Sequence, residues 1–113
     1  MHEVALAEGV LRIVQRAAAA NAAARVRTVR IELGALAHVE PESLAFCFDA
    51  VTRGSVAEGA KLEITRTAGV AWCMPCGGRI ALARLGDACP RCGSHQLQVL
   101  EGEEMRVRDI AIA

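Results

Sequence analysis

Two Cys-x-x-Cys pairs constrain the fold of this chain more than any other feature of its sequence. They are Cys73/Cys76 and Cys89/Cys92, separated by twelve residues, and a glycine follows each pair. Two residues between thiolates let a tight turn aim both sulfurs at one ion, and a glycine accommodates the positive φ that closes such a turn. Four thiolates fill a tetrahedral zinc shell without leaving an open position. The pattern therefore predicts a structural zinc site with little apolar core of its own.

Two disulfides or a dithiol redox pair are the alternative uses of these cysteines. A reducing compartment opposes disulfides, and the symmetry of the two pairs opposes a redox motif. His2, Glu3 and Glu8 stand where a secretory signal has its basic region, so we expect a cytoplasmic protein. The fifth cysteine, Cys47, lies between two phenylalanines and is expected to be a small core residue rather than a further ligand.

Charge and hydropathy exclude two broad classes of partner. Lys+Arg and Asp+Glu each number 13, so the chain has no bulk field for nucleic acid or an anionic membrane. The hydrophobic fraction of 53% includes many alanines, and no apolar run approaches the ~20 residues of a membrane span. We therefore expect neither a nucleic-acid partner nor a membrane association.

Hydrophobic periodicity predicts two helices and several strands. Apolar residues at helical spacing predict a helix over residues 4–20, and Pro41 is expected to open a second one. Alternating residues predict strands at 27–33 and 61–66, and a short strand at 80–82. Two further segments, 97–100 and 105–108, are expected to pair with each other through a turn near Glu101-Gly102.

These elements predict an α+β fold in which a small mixed sheet of about three strands is packed by two helices, with an inserted zinc-ribbon-like lobe that carries the four cysteines. The predicted domains are an α/β domain over residues 1–69 and 97–113, and a zinc-binding domain over residues 70–96. Trp72 is expected to pack beneath the first cysteine turn.

His2 is a candidate metal ligand because of its position in the chain. Initiator methionine is generally retained before a bulky residue, so Met1 is expected to keep a free α-amine. That amine, the His2 amide nitrogen and His2 Nδ1 can close two chelate rings around one ion, and square-planar nitrogen donors suit Ni(II) or Cu(II). The fourth position would fall to another group, with the Glu3 amide or carboxylate nearest. A histidine after methionine is by itself more often a solvated terminus.

Several short motifs occur in a fixed order along the whole chain. They are Met1-His2-Glu3, Gly34-Ala35-Leu36 before Val39-Glu40-Pro41-Glu42, the run 54–59, the paired cysteines with Cys92-Gly93-Ser94-His95, and the run 102–107. In this combination the sequence closely resembles the hydrogenase nickel-incorporation proteins of the HypA/HybF family, over essentially all 113 residues.

The resemblance implies a nickel metallochaperone rather than an enzyme. It implies Ni(II), as cargo, held by Met1, His2 and Glu3, and structural Zn(II) held by Cys73, Cys76, Cys89 and Cys92. It further implies delivery of nickel to the large subunit of [NiFe] hydrogenase, with a partner GTPase, and in some relatives to urease. We expect a monomer or a weak homodimer.

The alternative functions are a zinc-ribbon adaptor for protein or nucleic acid, and a small metalloenzyme. Balanced charge and only 3% aromatic residues oppose nucleic-acid contact. The absence of a nucleophile–base pair in the sequence opposes an enzyme. Glu40 is expected either to interact with the start of the second helix or to neighbour the nickel. His38 and His95 are expected to be surface residues. The alternatives for His95 are a hydrogen bond to a sulfur and a place at the interface of the zinc lobe.

Overall fold

The computed structural model describes residues 2–113, and these residues form two helices and six strands. The helices are α1 (His2–Ala20) and α2 (Pro41–Val51). The strands are β1 (Val26–Gly34), β2 (Lys61–Thr67), β3 (Gly69–Cys73), β4 (Gly78–Leu82), β5 (Leu97–Glu101) and β6 (Met105–Ile112). Both predicted helices and the strands predicted at 27–33, 61–66 and 80–82 are confirmed.

Helix α1 is amphipathic and begins at the first described residue. Its buried face is narrow and consists of small and β-branched side chains at helical spacing, namely Ala7, Val10, Val14 and Ala18. Val4 and Ile13, which the sequence pattern also placed on the apolar stripe, are 37% and 45% exposed. The buried face of α1 is therefore narrower than the apolar face that the sequence periodicity predicts.

Helix α2 begins where the sequence predicted, because Pro41 occupies its first turn. Glu40 is the N-cap residue, and its Oε1 accepts a hydrogen bond from the Glu42 backbone N–H at 3.3 Å. Leu44 and Phe48 are fully buried on the inner face of the helix. The cap satisfies one of the backbone donors that every helix leaves free at its start.

The first sheet has the strand order β2-β1-β6. Backbone hydrogen bonds from Gly34 N to Glu104 O and from Ala113 N to Arg25 O make β6 antiparallel to β1. Strands β1 and β2 run in the same direction. Arg30 of β1 pairs with Glu63 of β2, and farther along the chain the Ala35 N–H, just after β1, donates to Thr67 O at the end of β2. The sheet is therefore mixed, as predicted.

The second sheet has the strand order β4-β3-β5, and both of its pairings are antiparallel. The predicted hairpin between 97–100 and 105–108 is wrong: β5 pairs with β3, and β6 joins the other sheet. Strand β3, which the sequence analysis did not identify, is the centre of the second sheet. The register against β5 shifts between Val70 and Ala71.

The chain divides into two compact units. One unit comprises Met1–Ile31, Val39–Ile64 and Val107–Ala113, and the other comprises Glu32–His38 and Thr65–Arg106. The assignment of the predicted α/β domain to residues 1–69 and 97–113, and of the zinc-binding domain to residues 70–96, stays a prediction.

Candidate metal centre

The two Cys-x-x-Cys pairs form the same backbone turn. The Gly77 N–H donates to Cys73 O at 2.8 Å, and the Gly93 N–H donates to Cys89 O at the same distance. Gly77 and Gly93 have φ of 64° and 77°, the region that favours glycine, as the sequence predicted. Each turn thereby closes over its own pair of cysteines.

The four sulfurs converge on one point, and their spacing fits zinc. All four Sγ atoms lie within 4.8 Å of one another. Cys73 Sγ lies 3.6 Å from Cys92 Sγ, and Cys76 Sγ lies 3.9 Å from Cys89 Sγ. A disulfide requires about 2.05 Å, so these sulfurs are not bonded to each other. A tetrahedral shell with Zn–S of about 2.3 Å separates its sulfurs by about 3.8 Å, close to both distances.

Hydrogen bonds among the thiols raise the pKa of Cys76 but help to lower that of Cys89. A hydrogen bond with Cys92 and another with Cys73 raise the pKa of the Cys76 thiol to about 12. Burial also works against ionisation of Cys89, but the backbone N–H groups of Cys92 and Arg91 outweigh it and lower the pKa of Cys89 to about 7. The cluster therefore favours a thiolate at Cys89, and a dication would supply the charge that holds the others ionised.

A buried apolar cluster supports two of the four cysteines. Cys73 and Cys89 are buried, whereas Cys76 and Cys92 are exposed. The other fully or nearly fully buried members of the cluster are Leu36, Ala71, Ile80 and Leu82. Sequence analysis missed Leu36 because it lies in a connection outside the cysteine segment and belongs to no periodic pattern.

Trp72 does not pack beneath the cysteine turn, and this expectation is wrong. Side chains alternate along β3, so Ala71 and Cys73 are buried while Trp72 points the other way and is 38% exposed.

The predicted nickel ligands lie at the start of α1. Met1 lies outside the described residues, so the position of its amine is not part of the structure. His2 is exposed, and its Nδ1 lies 3.7 Å from Glu3 Oε1. The Glu3 side chain is only 16% exposed, and its Oε2 accepts a long hydrogen bond of 3.5 Å from the Glu40 N–H.

The first backbone N–H groups of α1 are not used by hydrogen bonds within the helix. The first N–H groups of a helix have no acceptor within the helix, so the amides of His2 and Glu3 can act as metal ligands without loss of a helical hydrogen bond. The backbone of Glu40 lies beside Glu3, whereas the Glu40 carboxylate caps α2, which is the helix interaction expected of it.

The remaining candidate residues take ordinary positions. His38 and His95 are exposed, as expected for surface residues. Cys47 is buried on α2 and lies outside the group of four converging cysteines. Within residues 2–113, no helix has the length and apolar character needed to cross a bilayer.

Comparison with known proteins identifies the family. A family model described as "Hydrogenase/urease nickel incorporation, metallochaperone, hypA" matches residues 1–112. The chain is 51% identical over 112 residues to the hydrogenase maturation factor HypA of Azotobacter vinelandii and 52% identical to that of Dechloromonas aromatica, with 99% of each chain covered. The solution structure of the Ni metallochaperone HypA from Helicobacter pylori, at 21% identity, superposes with a TM-score of 0.68 and covers 99% of this chain and 97% of that one. This structural likeness supports the fold described above.

The family model and the two sequence relatives identify the family. The chain belongs to the HypA family of metallochaperones for hydrogenase and urease nickel incorporation.

Proposed function

We propose that this chain carries Ni(II) as cargo at its N-terminus and delivers it to the large subunit of [NiFe] hydrogenase. The observation that carries the proposal is the match to a nickel-incorporation family over residues 1–112, a range that includes His2 and Glu3. The proposal describes a carrier that binds and releases a metal, not an enzyme that transforms a substrate. Delivery to urease is a second destination that the family description includes.

The proposed nickel ligands are the Met1 amine, the amide nitrogen and Nδ1 of His2, and a donor from Glu3. Nitrogen donors in a square plane suit a d⁸ ion such as Ni(II). The free first-turn amides of α1 support this donor set. His2 is 55% exposed, so a metal bound there would remain accessible to a receiving protein.

The proposed role of Zn(II) is structural, with Cys73, Cys76, Cys89 and Cys92 as its four ligands. The sulfur separations of 3.6 and 3.9 Å support this, because they match a closed tetrahedral shell. A closed shell has no place for water or substrate. Zinc would therefore fold and stabilise its unit rather than take part in nickel chemistry.

Delivery requires partners, and we propose a nickel-handling GTPase of hydrogenase maturation together with the hydrogenase large subunit. We place this activity in the cytoplasm and expect the carrier to act as a monomer or weak homodimer. Nickel binding is assigned to residues 1–69 and 97–113, and zinc binding to residues 70–96. Copper would bind more tightly than nickel in vitro, so selectivity must come from metal availability and from these partners.

Nickel titration of a histidine pair tests the proposal. His2→Ala should abolish tight nickel binding while zinc content and circular dichroism stay unchanged, because zinc has separate ligands. His38→Ala is the matched control, since His38 is also exposed but is not a proposed ligand. Tight binding of one nickel by His2→Ala, or loss of binding in His38→Ala alone, would contradict the terminal site.

A further inference from the structure

Leu36 is a buried residue of the compact unit that contains the four cysteines, but it comes from outside the cysteine segment. It lies in the connection between β1 and α2, yet its exposed fraction is 0%. It shares one buried cluster with Cys73 and Cys89, the two buried cysteines of the metal centre. A loop leucine therefore forms part of the apolar support for half of the zinc ligands.

Backbone hydrogen bonds fix the segment that carries Leu36. The Leu36 N–H donates to Gly102 O at 2.8 Å. The Arg66 guanidinium donates to the three consecutive carbonyl oxygens of residues 33–35, at 3.3 to 3.4 Å. These bonds hold the main chain at the leucine and over the three residues before it, so its side chain enters the cluster from a fixed position.

The site that receives Leu36 depends on a glycine. A Cβ atom added to Gly69 would lie 2.6 Å from Leu36 Cγ and 2.5 Å from Leu82 O. Real Cβ atoms do not approach other heavy atoms so closely. The start of β3 therefore lacks a side chain where Leu36 packs, and the two residues are complementary in shape.

We propose that Leu36 is a positioning residue for the zinc site, which holds Cys73 and Cys89 in ligand geometry and slows the release of zinc without being a ligand. Truncation of a buried leucine leaves a cavity into which the surrounding structure relaxes only partly. Here that relaxation would move the strand that ends at Cys73 and the turn that starts at Cys89. Groups that orient metal ligands commonly affect metal affinity by ~10–100-fold when they are removed. The inference rests on the proposed structural zinc.

Zinc release from full-length protein into an excess of a chromophoric chelator tests the inference. We expect Leu36→Ala to release zinc at least ~10-fold faster than wild type. This is the lower end of the effect known for removing groups that orient metal ligands. Leu36→Val should lie between the two, and Leu36→Met, which nearly conserves volume, should restore a rate close to wild type. In the cobalt-substituted protein, the ligand-field bands of tetrahedral thiolate coordination should shift in Leu36→Ala but not in Leu36→Met.

Leu44→Ala is the matched control, because Leu44 is equally buried but lies on α2 in the other unit. Its truncation should lower global stability by a similar amount and leave the zinc release rate unchanged. A wild-type release rate for Leu36→Ala would overturn the inference, as would equally fast release from Leu44→Ala. If Leu36→Ala does not fold, Leu36→Val and Leu36→Met are compared instead. Faster zinc release from the Val variant than from the Met variant supports the inference, and wild-type release from both overturns it. A wild-type protein that binds no zinc would instead refute the structural zinc of the proposed function.

Discussion

The affinity for zinc is expected to depend steeply on pH, because zinc must displace protons from the thiols. The pKa of Cys76 is about 12 and that of Cys73 is raised above its ordinary value, so both are protonated at pH 7. These two thiols alone therefore lose ~2 protons on binding, and Cys89, whose pKa is lowered to about 7, adds part of a third. Acidification adds protons that compete with zinc, so the apparent association constant should fall by at least ~2 log units per pH unit.

Competition with a chelator of known pH dependence, between pH 6 and 7.5, gives this slope. Calorimetry in two buffers that differ in ionisation enthalpy counts the same protons independently. Cys47→Ala should retain the slope, since Cys47 lies outside the converging cysteines. A slope of one or less would refute the reasoning, because it would mean that zinc does not displace protons from these thiols.

Two predictions concern the free energy of unfolding, measured by chemical denaturation of zinc-loaded protein. Glu40→Ala removes the acceptor for the Glu42 N–H and should lower stability by ~0.5–1 kcal/mol, as for an N-cap; an unchanged midpoint would contradict the capping role. Gly102→Ala should lower stability by more than ~2 kcal/mol, because its φ is +104° and the new Cβ would lie 2.7 Å from Gly69 Cα. The control Gly54→Ala has a φ of +79° but open space around it, so only backbone strain of ~1 kcal/mol is expected; equal losses for the two glycines would contradict the steric argument.

Local sequence patterns predicted the features that depend on neighbouring residues. The spacing within each cysteine pair and the glycine after it define a turn within five residues, and the structure contains both turns with positive φ at Gly77 and Gly93. Helix α2 likewise starts at Pro41, because the cap and the first turn are local signals.

The features that sequence analysis missed depend on distant partners. The segment 97–100 has the alternation of a strand, but alternation does not specify a partner, and β5 pairs with β3 rather than with β6, which is nearer in sequence. Leu36 stands in a connection without periodicity, and its burial results from packing against residues more than thirty positions away. Trp72 was expected beneath the cysteine turn because it directly precedes Cys73, but side chains alternate along β3, so Ala71 and Cys73 are buried and Trp72 lies on the opposite face.

The proposed nickel site depends on both local and long-range features of the sequence. The position of His2 in the chain is local, but its interpretation as a nickel ligand came from the order of motifs over the whole sequence. The structure adds the approach of the Glu40 N–H to Glu3 Oε2, a contact between residues 37 positions apart. This contact places the main chain of Glu40 beside the Glu3 carboxylate at the start of α1.

Nickel titration of zinc-loaded protein with an unblocked Met1, compared with the same protein acetylated at Met1, tests the central claim most directly. Acetylation removes the amine donor and leaves His2, Glu3 and all four cysteines in place. The account predicts one tightly bound Ni(II) for the unblocked protein and an affinity at least a hundredfold weaker, on the order of 3 kcal/mol, for the acetylated one. Equal nickel affinity in the two proteins, or no nickel binding by the unblocked one, would contradict the account.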